Sequence, residues 1–297
     1  MKVTRRSLLK GLVGAGALTS VSGTAKAREA QKPGPHDMGM LYDSTLCVGC
    51  RACETACKEA NGLTPASQLD TKPSGDLDSD TKNVIKLCVG GDKPAYMKMQ
   101  CMHCVDPACV SVCMAGGLHK IEEGPFEGVI AYDKTVCVGC RYCQVACPYD
   151  VPKFEWFSAT PEIVKCELCR HLDTGPACCT ACTSGAVIYG KLTDLLAEAH
   201  KRIEDHPDRY LDKVYGEVDG GGTHVLYLTD KDVSFEQLGL PKLPDHPLPQ
   251  MSESVQHTIY KGFIAPAVLF GVLTGVQFFN RKKNAKAEAA AGEEGSS

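Results

Sequence analysis

The sequence holds no C-x-x-C followed by histidine, which argues against covalent attachment of a c-type haem. It has no basic stripe with interleaved aromatic residues, and its net charge of −4 leaves no electrostatic footprint for nucleic acid. Gly220-Gly-Gly222 is followed by neither a lysine nor a helical pattern, so a phosphate-cradling loop is not expected there. Those glycines instead suggest a place where another stretch of backbone passes close. Irregular cysteine spacing is also missing. Eighteen cysteines in 297 residues would suggest disulfides in an exported protein. These cysteines, however, come in quartets spaced as ligands. A substrate site of the chain's own is not apparent.

What is present centres on Cys137-Val-Gly-Cys140-Arg-Tyr-Cys143-Gln-Val-Ala-Cys147-Pro148, or C-x2-C-x2-C-x3-C-P. In this spacing three thiolates wrap one iron–sulfur cubane, and the fourth, carried away at the start of a helix, reaches a second cluster. A structural zinc could take one C-x2-C pair but would need another pair from elsewhere to close its tetrahedron.

Cys47-x2-Cys50-x2-Cys53-x3-Cys57 repeats the run at a constant offset of ninety residues, and the match extends beyond the cysteines. Tyr42-Asp-Ser-Thr-Leu-Cys47-Val-Gly-Cys50-Arg aligns with Tyr132-Asp-Lys-Thr-Val-Cys137-Val-Gly-Cys140-Arg, so one structural unit is duplicated. Two looser groups follow the same grammar: Cys101, Cys104, Cys109 and Cys113, then Cys166, Cys169, Cys178 and Cys182. Sixteen thiolates suffice for four cubanes, leaving Cys88 and Cys179 over. The x3 gap to Cys182 fits Cys178 as the ligand, although adjacent Cys179 competes for the place. Only the third group keeps a proline after its last cysteine. Lys58, Met114 and Thr183 stand there in the others, a difference expected to affect helix ends more than ligation.

Arg5-Arg6, an apolar Gly/Ala-rich stretch and Ala25-Lys-Ala27 read as a twin-arginine export signal over residues 1–27, with a Sec signal or a buried helix as alternatives. Export after folding suits clusters assembled in the cytoplasm, because free thiols would oxidise in the periplasm. Strands are expected at Met40–Tyr42, Asn83–Val89, Gly128–Asp133, Ala186–Tyr189 and His224–Thr229, with the fourth equivalent to the third. An amphipathic helix is expected over 193–205, from the spacing of Leu195, Leu196, Ala199 and Ile203. Cys88 reads as a core thiol, and His103 as a hydrogen-bonding partner of local backbone. Residues 28–240 form the expected cluster domain, and the proline-rich stretch over 241–261 an extended linker. An uncharged run from Gly262 to Phe279 would span roughly 27 Å as a helix, just enough for a bilayer core. It places a single anchor at 262–280, with a buried helix as the alternative. The basic residues after it set the 281–297 tail in the cytoplasm and the cluster domain outside.

With these residues in hand, the chain resembles the four-cluster iron–sulfur subunits of membrane-bound respiratory oxidoreductases. It is most similar to the ferredoxin-like subunit of periplasmic, quinone-linked hydrogenase-2 type nickel–iron hydrogenases. The resemblance rests on Gly39–Cys50, Gln100–Pro107, Gly220–Leu226, Leu240-Pro-Lys-Leu-Pro244 and Val255–Gly262. It implies an α+β fold of two ferredoxin-like units, each holding two 4Fe-4S clusters, and one C-terminal transmembrane helix. It also implies electron transfer, on the periplasmic face of the inner membrane, between the small and large hydrogenase subunits and an integral-membrane quinone-reactive subunit. A molybdenum formate dehydrogenase is the alternative catalytic partner, and a disulfide- or zinc-stabilised structural protein the alternative class. The family pattern nests the groups. Cys47, Cys50, Cys53 and Cys182 would hold one cluster, and Cys166, Cys169, Cys178 and Cys57 its neighbour. Cys101, Cys104, Cys109 and Cys147 would hold the third, and Cys137, Cys140, Cys143 and Cys113 the fourth.

Overall fold

The computed structural model describes residues 29–64, 75–89, 94–156, 158, 161–249, 253, 268–279 and 281–282. The expected export signal lies outside these residues, as do parts of the expected linker, anchor and tail. The chain divides into two units, of which 29–250 is the cluster-bearing body.

Strand β1 (Met38–Asp43) is the spine of that body. It pairs antiparallel with β8 (Val187–Lys191) and parallel with β9 (Val225–Leu228), in the order β8-β1-β9. Met40, Leu41, Leu226 and Leu228 are completely buried, as a central strand covered on both faces requires. Helix α5 (Leu192–Asp205) lays Leu192, Leu195, Ala199 and Ile203 onto this sheet, an apolar stripe at helical spacing. His206, beyond the last turn, leaves helical geometry before Pro207.

The internal repeat is visible in the backbone. Strand β4 (Leu118–Lys120) pairs antiparallel with β5 (Ile130–Tyr132), as β8 pairs with β1. Asp43 N–H donates to Ala186 O at 2.8 Å and Asp133 N–H to Gly117 O at 2.8 Å, closing the two pairings identically. The strand after the fourth cysteine group therefore corresponds to β4, after the second group, and not to the 128–133 strand as expected. Each hairpin-like pair joins the strand entering one cysteine group to the strand leaving another. Beside these lie hairpin β2 (Val84–Val89) with β3 (Pro94–Met99), and the two-residue pair β6 (Lys153–Phe154) with β7 (Ile163–Val164).

The helices pair in the same nested way. α1 (Ala52–Ala60) packs on α4 (Ala177–Thr180), and α2 (Ala108–Ser111) on α3 (Tyr142–Ala146). α1 runs on past Cys57, whereas α3 stops at Ala146 because Pro148 forces Cys147 into an extended conformation (φ −77°, ψ 116°). The proline after the third group thus terminates a helix, as expected. Arg51 and Arg141, which precede these helices, share left-handed backbone at φ 62° and φ 63°.

The proline-rich stretch after Leu240 is extended but held to the body. Pro241 O accepts from Tyr215 Oη at 2.7 Å, and Pro244 O from Gly220 N–H at 2.6 Å. A Cβ at Gly221 (φ +86°) would lie 2.5 Å from the Pro247 ring, so the glycine triplet does admit a close backbone. Cys88, partly buried, donates its thiol to Leu238 O at 3.2 Å and closes the same region. In the second unit, residues 268–279 are helical, with Val268, Phe270, Phe278 and Phe279 exposed. Among the described residues no helix is long and apolar enough to cross a membrane. Seven residues of the expected anchor, 262–267 and 280, lie outside them.

The repeat is chemically asymmetric at one point. Asp43 and Asp133 each cap a turn, accepting from the Thr45 and Thr135 N–H groups at 2.9 and 2.8 Å. Asp43 alone is fully buried, and it also accepts from Arg202 Nη1 at 3.1 Å and Tyr210 Oη at 2.8 Å. Replacing Asp43 by alanine strands the Arg202 and Tyr210 donors and is expected to cost about 3–5 kcal/mol, as for other broken buried pairs. Asp133→Ala removes only an exposed turn contact. Urea midpoints of the two variants test this, and equal losses would refute the asymmetry.

Candidate iron–sulfur centres

All eighteen cysteines are free thiols. Among the described residues no group of three or more Cys, His, Asp or Glu side chains is drawn together as a single-ion site. The thiols are instead spread around larger volumes, and the nested helix pairs decide which thiols face each other.

The clearest grouping joins the second and third runs. Burial pushes Cys143 up to about 12, and its thiol neighbours Cys113, Cys140 and Cys137 add to the shift. These same four residues line a cavity of about 280 Å3, closed by Met114, Val138, Arg141, Phe154 and Ile163. Burial raises Cys104 well above its usual range, with Cys109, Cys147 and Cys101 as the next contributors. Cys147 is pushed up to about 11 by burial and by Cys101, against a lowering hydrogen bond from Val151. Cys113, from the second run, therefore sits with the third run, and Cys147, from the third, with the second.

The first and fourth runs cross over likewise. Cys53 and Cys57 lie one turn apart on the face of α1 turned to α4. Burial raises Cys57, and Cys178 and Cys169 are its thiol neighbours. Burial also raises Cys166, beside Cys178 and Cys57. The Asn61 amide reaches Cys57 Sγ at 3.7 Å and Cys169 Sγ at 3.9 Å, tying these two together. Cys53, pushed up to about 12 by burial, neighbours both Cys178 and Cys47. Cys50 is exposed, and Cys182 faces Ser184 Oγ at 3.6 Å.

Cys178 and Cys179 separate by register. In α2 the residues after capping Pro107 are Ala108 and Cys109, and in α4 the residues after capping Pro176 are Ala177 and Cys178. Cys178 thus occupies the place of Cys109, and Cys179 that of Val110. Cys178 is 5 % exposed and faces the interior thiols, while Cys179 lies beside Tyr189. A hydrogen bond from Cys179 lowers the Cys178 thiol against the cost of burial, and the same bond raises Cys179.

The surroundings fit 4Fe-4S clusters rather than disulfides. Backbone N–H groups of Leu168 and Leu118 donate to Cys166 Sγ and Cys113 Sγ, each at 3.4 Å, the kind of hydrogen bond that tunes cluster sulfurs. His103 is completely buried. Its Nδ1 accepts from Ile130 N–H at 3.0 Å, a backbone partner as expected but a distant one in sequence. Burial, with Lys165 and His224 nearby, holds it neutral, well below the usual histidine range. Arg141, beside the cavity, stacks on the chain's single tryptophan, Trp156, 4.0 Å from the ring centre.

Sequence reasoning missed Lys98. It is wholly buried in β3, its ammonium donates to Gln100 Oε1, and its carbonyl accepts from Tyr227 Oη at 2.5 Å. Burial drives the ammonium towards neutrality, but Cys178, Cys53, Cys166 and Cys57 more than offset this and raise its pKa. The available signal was a lone charge in the otherwise apolar run Tyr96-Met-Lys-Met99 just before Cys101.

Ligand assignment is tested by counting iron. Cys178→Ala is expected to lose about four irons per chain, the content of one cubane, and Cys179→Ala to lose none. The reverse result would reassign the ligand.

Comparison with known proteins points to 4Fe-4S cluster binding. Residues 93–192 match a 4Fe-4S dicluster domain. The chain is 41 % identical to the hydrogenase-2 operon protein HybA of Escherichia coli O157:H7, over 95 % of this chain and 97 % of that protein. It is 30 % identical to the formate dehydrogenase-O iron–sulfur subunit of Escherichia coli K12, over 91 % of this chain and 86 % of the relative. A subunit of the anaerobic dimethyl sulfoxide reductase of the same strain is 34 % identical over 53 % of this chain and 75 % of its own length. The chain belongs to the family of 4Fe-4S electron-transfer subunits that includes HybA and these oxidoreductase iron–sulfur subunits.

Proposed function

We propose that this chain carries electrons through four 4Fe-4S clusters between a periplasmic nickel–iron hydrogenase, with its small and large subunits, and an integral-membrane quinone-reactive subunit. The observation that carries this reading is the 41 % identity, along nearly the whole of both chains, to a protein named for the hydrogenase-2 operon. The ligand sets are those of the nested pattern: Cys47, Cys50, Cys53 and Cys182; Cys57, Cys166, Cys169 and Cys178; Cys101, Cys104, Cys109 and Cys147; and Cys113, Cys137, Cys140 and Cys143. When bound, the clusters supply one-electron carriers whose potentials follow charge, hydrogen bonding and burial. The chain's own residues hold sulfurs in place, donate N–H groups to them and exclude water. Cys50 and Cys140, the two exposed thiols at equivalent places in the repeat, mark where clusters come closest to the surface.

We also propose that residues 1–27 direct export by the twin-arginine route and that 262–280 anchor the chain in the inner membrane, with 281–297 on the cytoplasmic side. Domain 28–240 then lies on the periplasmic face. The twin arginines, the uncharged run and the basic residues that follow it support this placement. A second reading, favoured by 30 % identity over 91 % of the chain to a formate dehydrogenase iron–sulfur subunit, makes the catalytic partner a molybdoenzyme.

A mild-detergent pull-down of the native complex, with metals counted, tests both. Nickel with about sixteen irons per copy of this chain, beyond those of the catalytic subunits, is expected for four cubanes on a hydrogenase. Molybdenum or tungsten in place of nickel would transfer the same electron path to the second reading. Zinc without iron would refute electron transfer.

A further inference from the structure

Two lysines are buried in the body, and they spend their donors differently. Lys165 Nζ donates to the Ile130 and Cys166 carbonyls, which ties β5 to the fourth cysteine run and satisfies the ammonium with backbone. Lys98 Nζ donates to Gln100 Oε1 and turns towards the Cys178 thiol, and among the described residues no carboxylate pairs with it. Its titratable neighbours are thiols from two ligand sets, Cys53 from one and Cys57, Cys166 and Cys178 from the other. An ammonium removed from water without a counter-ion is strongly destabilising. A cubane held by four thiolates carries net negative charge, so loading the two sets supplies the missing partner.

We propose that Lys98 is the fixed counter-charge shared by the clusters of the first and fourth cysteine runs, and that its ammonium favours their reduction. This rests on the four-cluster reading above. The physical reason is direct: each electron added there increases negative charge beside an immobile positive one, in a low-dielectric interior where the interaction is strong. Lys98 acts as a positioning residue. It touches neither partner protein nor solvent, and it neither gains nor loses a proton in the cycle. Its strand, β3, is fixed by pairing with β2 and by the Tyr227 hydroxyl on the Lys98 carbonyl, so the charge cannot swing away on reduction.

The test is a redox titration followed by electron paramagnetic resonance on the full-length, cluster-loaded chain, alongside iron and sulfide counts. Lys98→Gln is expected to keep about sixteen irons and to lose at least tenfold in the equilibrium constant for reducing the first pair, about 59 mV for one electron. Lys98→Arg, which keeps the charge, is expected to stay near the wild-type potential, as is Lys86→Gln on the neighbouring strand. Full iron content with an unmoved midpoint in Lys98→Gln would overturn the role of Lys98. Fewer irons in the wild-type chain would instead overturn the four-cluster reading. If Lys98→Gln loses its clusters, nitrogen-15 lysine labelling of the wild-type protein decides. Hyperfine coupling to a reduced cluster of the first pair, absent in Lys98→Arg, supports the proposal, and no coupling overturns it.

Discussion

The register between β1 and β8 is the constraint on which the body depends. Tyr42 faces Val187 and Met38 faces Lys191, so the strand that enters the first cysteine run is locked to the strand that leaves the last. The pairing turns α1 towards α4 and brings Cys57 beside Cys166 and Cys169. The inner pair β4–β5 performs the same service for the second and third runs. Thiolates cannot gather around a cluster by affinity for one another, since burial and mutual repulsion raise the pKa of Cys53, Cys104, Cys109, Cys143 and Cys166. Backbone pairing must hold them there until a metal cluster rewards the arrangement.

Duplication explains the plan of the molecule, and the departures from symmetry show where each half acquired its own duties. The turn after each entry strand is kept, down to the aspartate and threonine that close it. Only the first half, however, has β9 and α5 built against it, and only there does the turn aspartate become a buried ion-pair partner of Arg202 and hydrogen-bond acceptor of Tyr210. The third run ends in a proline and a short helix, and the first in Lys58 and a helix that continues to Ala60, where the amide of the capping Asn61 reaches two thiols. The residue that ends this helix has been put to use as a hydrogen-bond donor to the thiols.

Much of this could be read in the sequence because cluster ligation imposes short, rigid spacing and because duplication leaves a fixed offset. The strands at β1, β2, β5, β8 and β9 and the helix α5 are legible as apolar periodicity. β3 is not, because its buried lysine breaks the pattern, and neither are β6 and β7, because two-residue pairings arise from tertiary contact and leave no local period. The wrong equivalence of the 186–189 strand comes from matching strands by appearance rather than by which cysteine run they follow. Lys98 acts on thiols distant in sequence and Asn61 on distant Cys169, which no local spacing can reveal.

The nesting also dictates an order of making. Strands β4 and β5 meet across a short loop, from Leu118 to Tyr132, and the eight thiols of the second and third runs are present once the third cysteine run has been synthesised. The outer pairing must wait for Val187, and β9 for residues beyond Thr223, with a long loop to close before either contributes. Loop closure therefore favours the inner pairing forming before the outer one. The inner half can mature while the outer half is still a nascent chain, and the outer thiols stay exposed to oxidation until the last strands arrive.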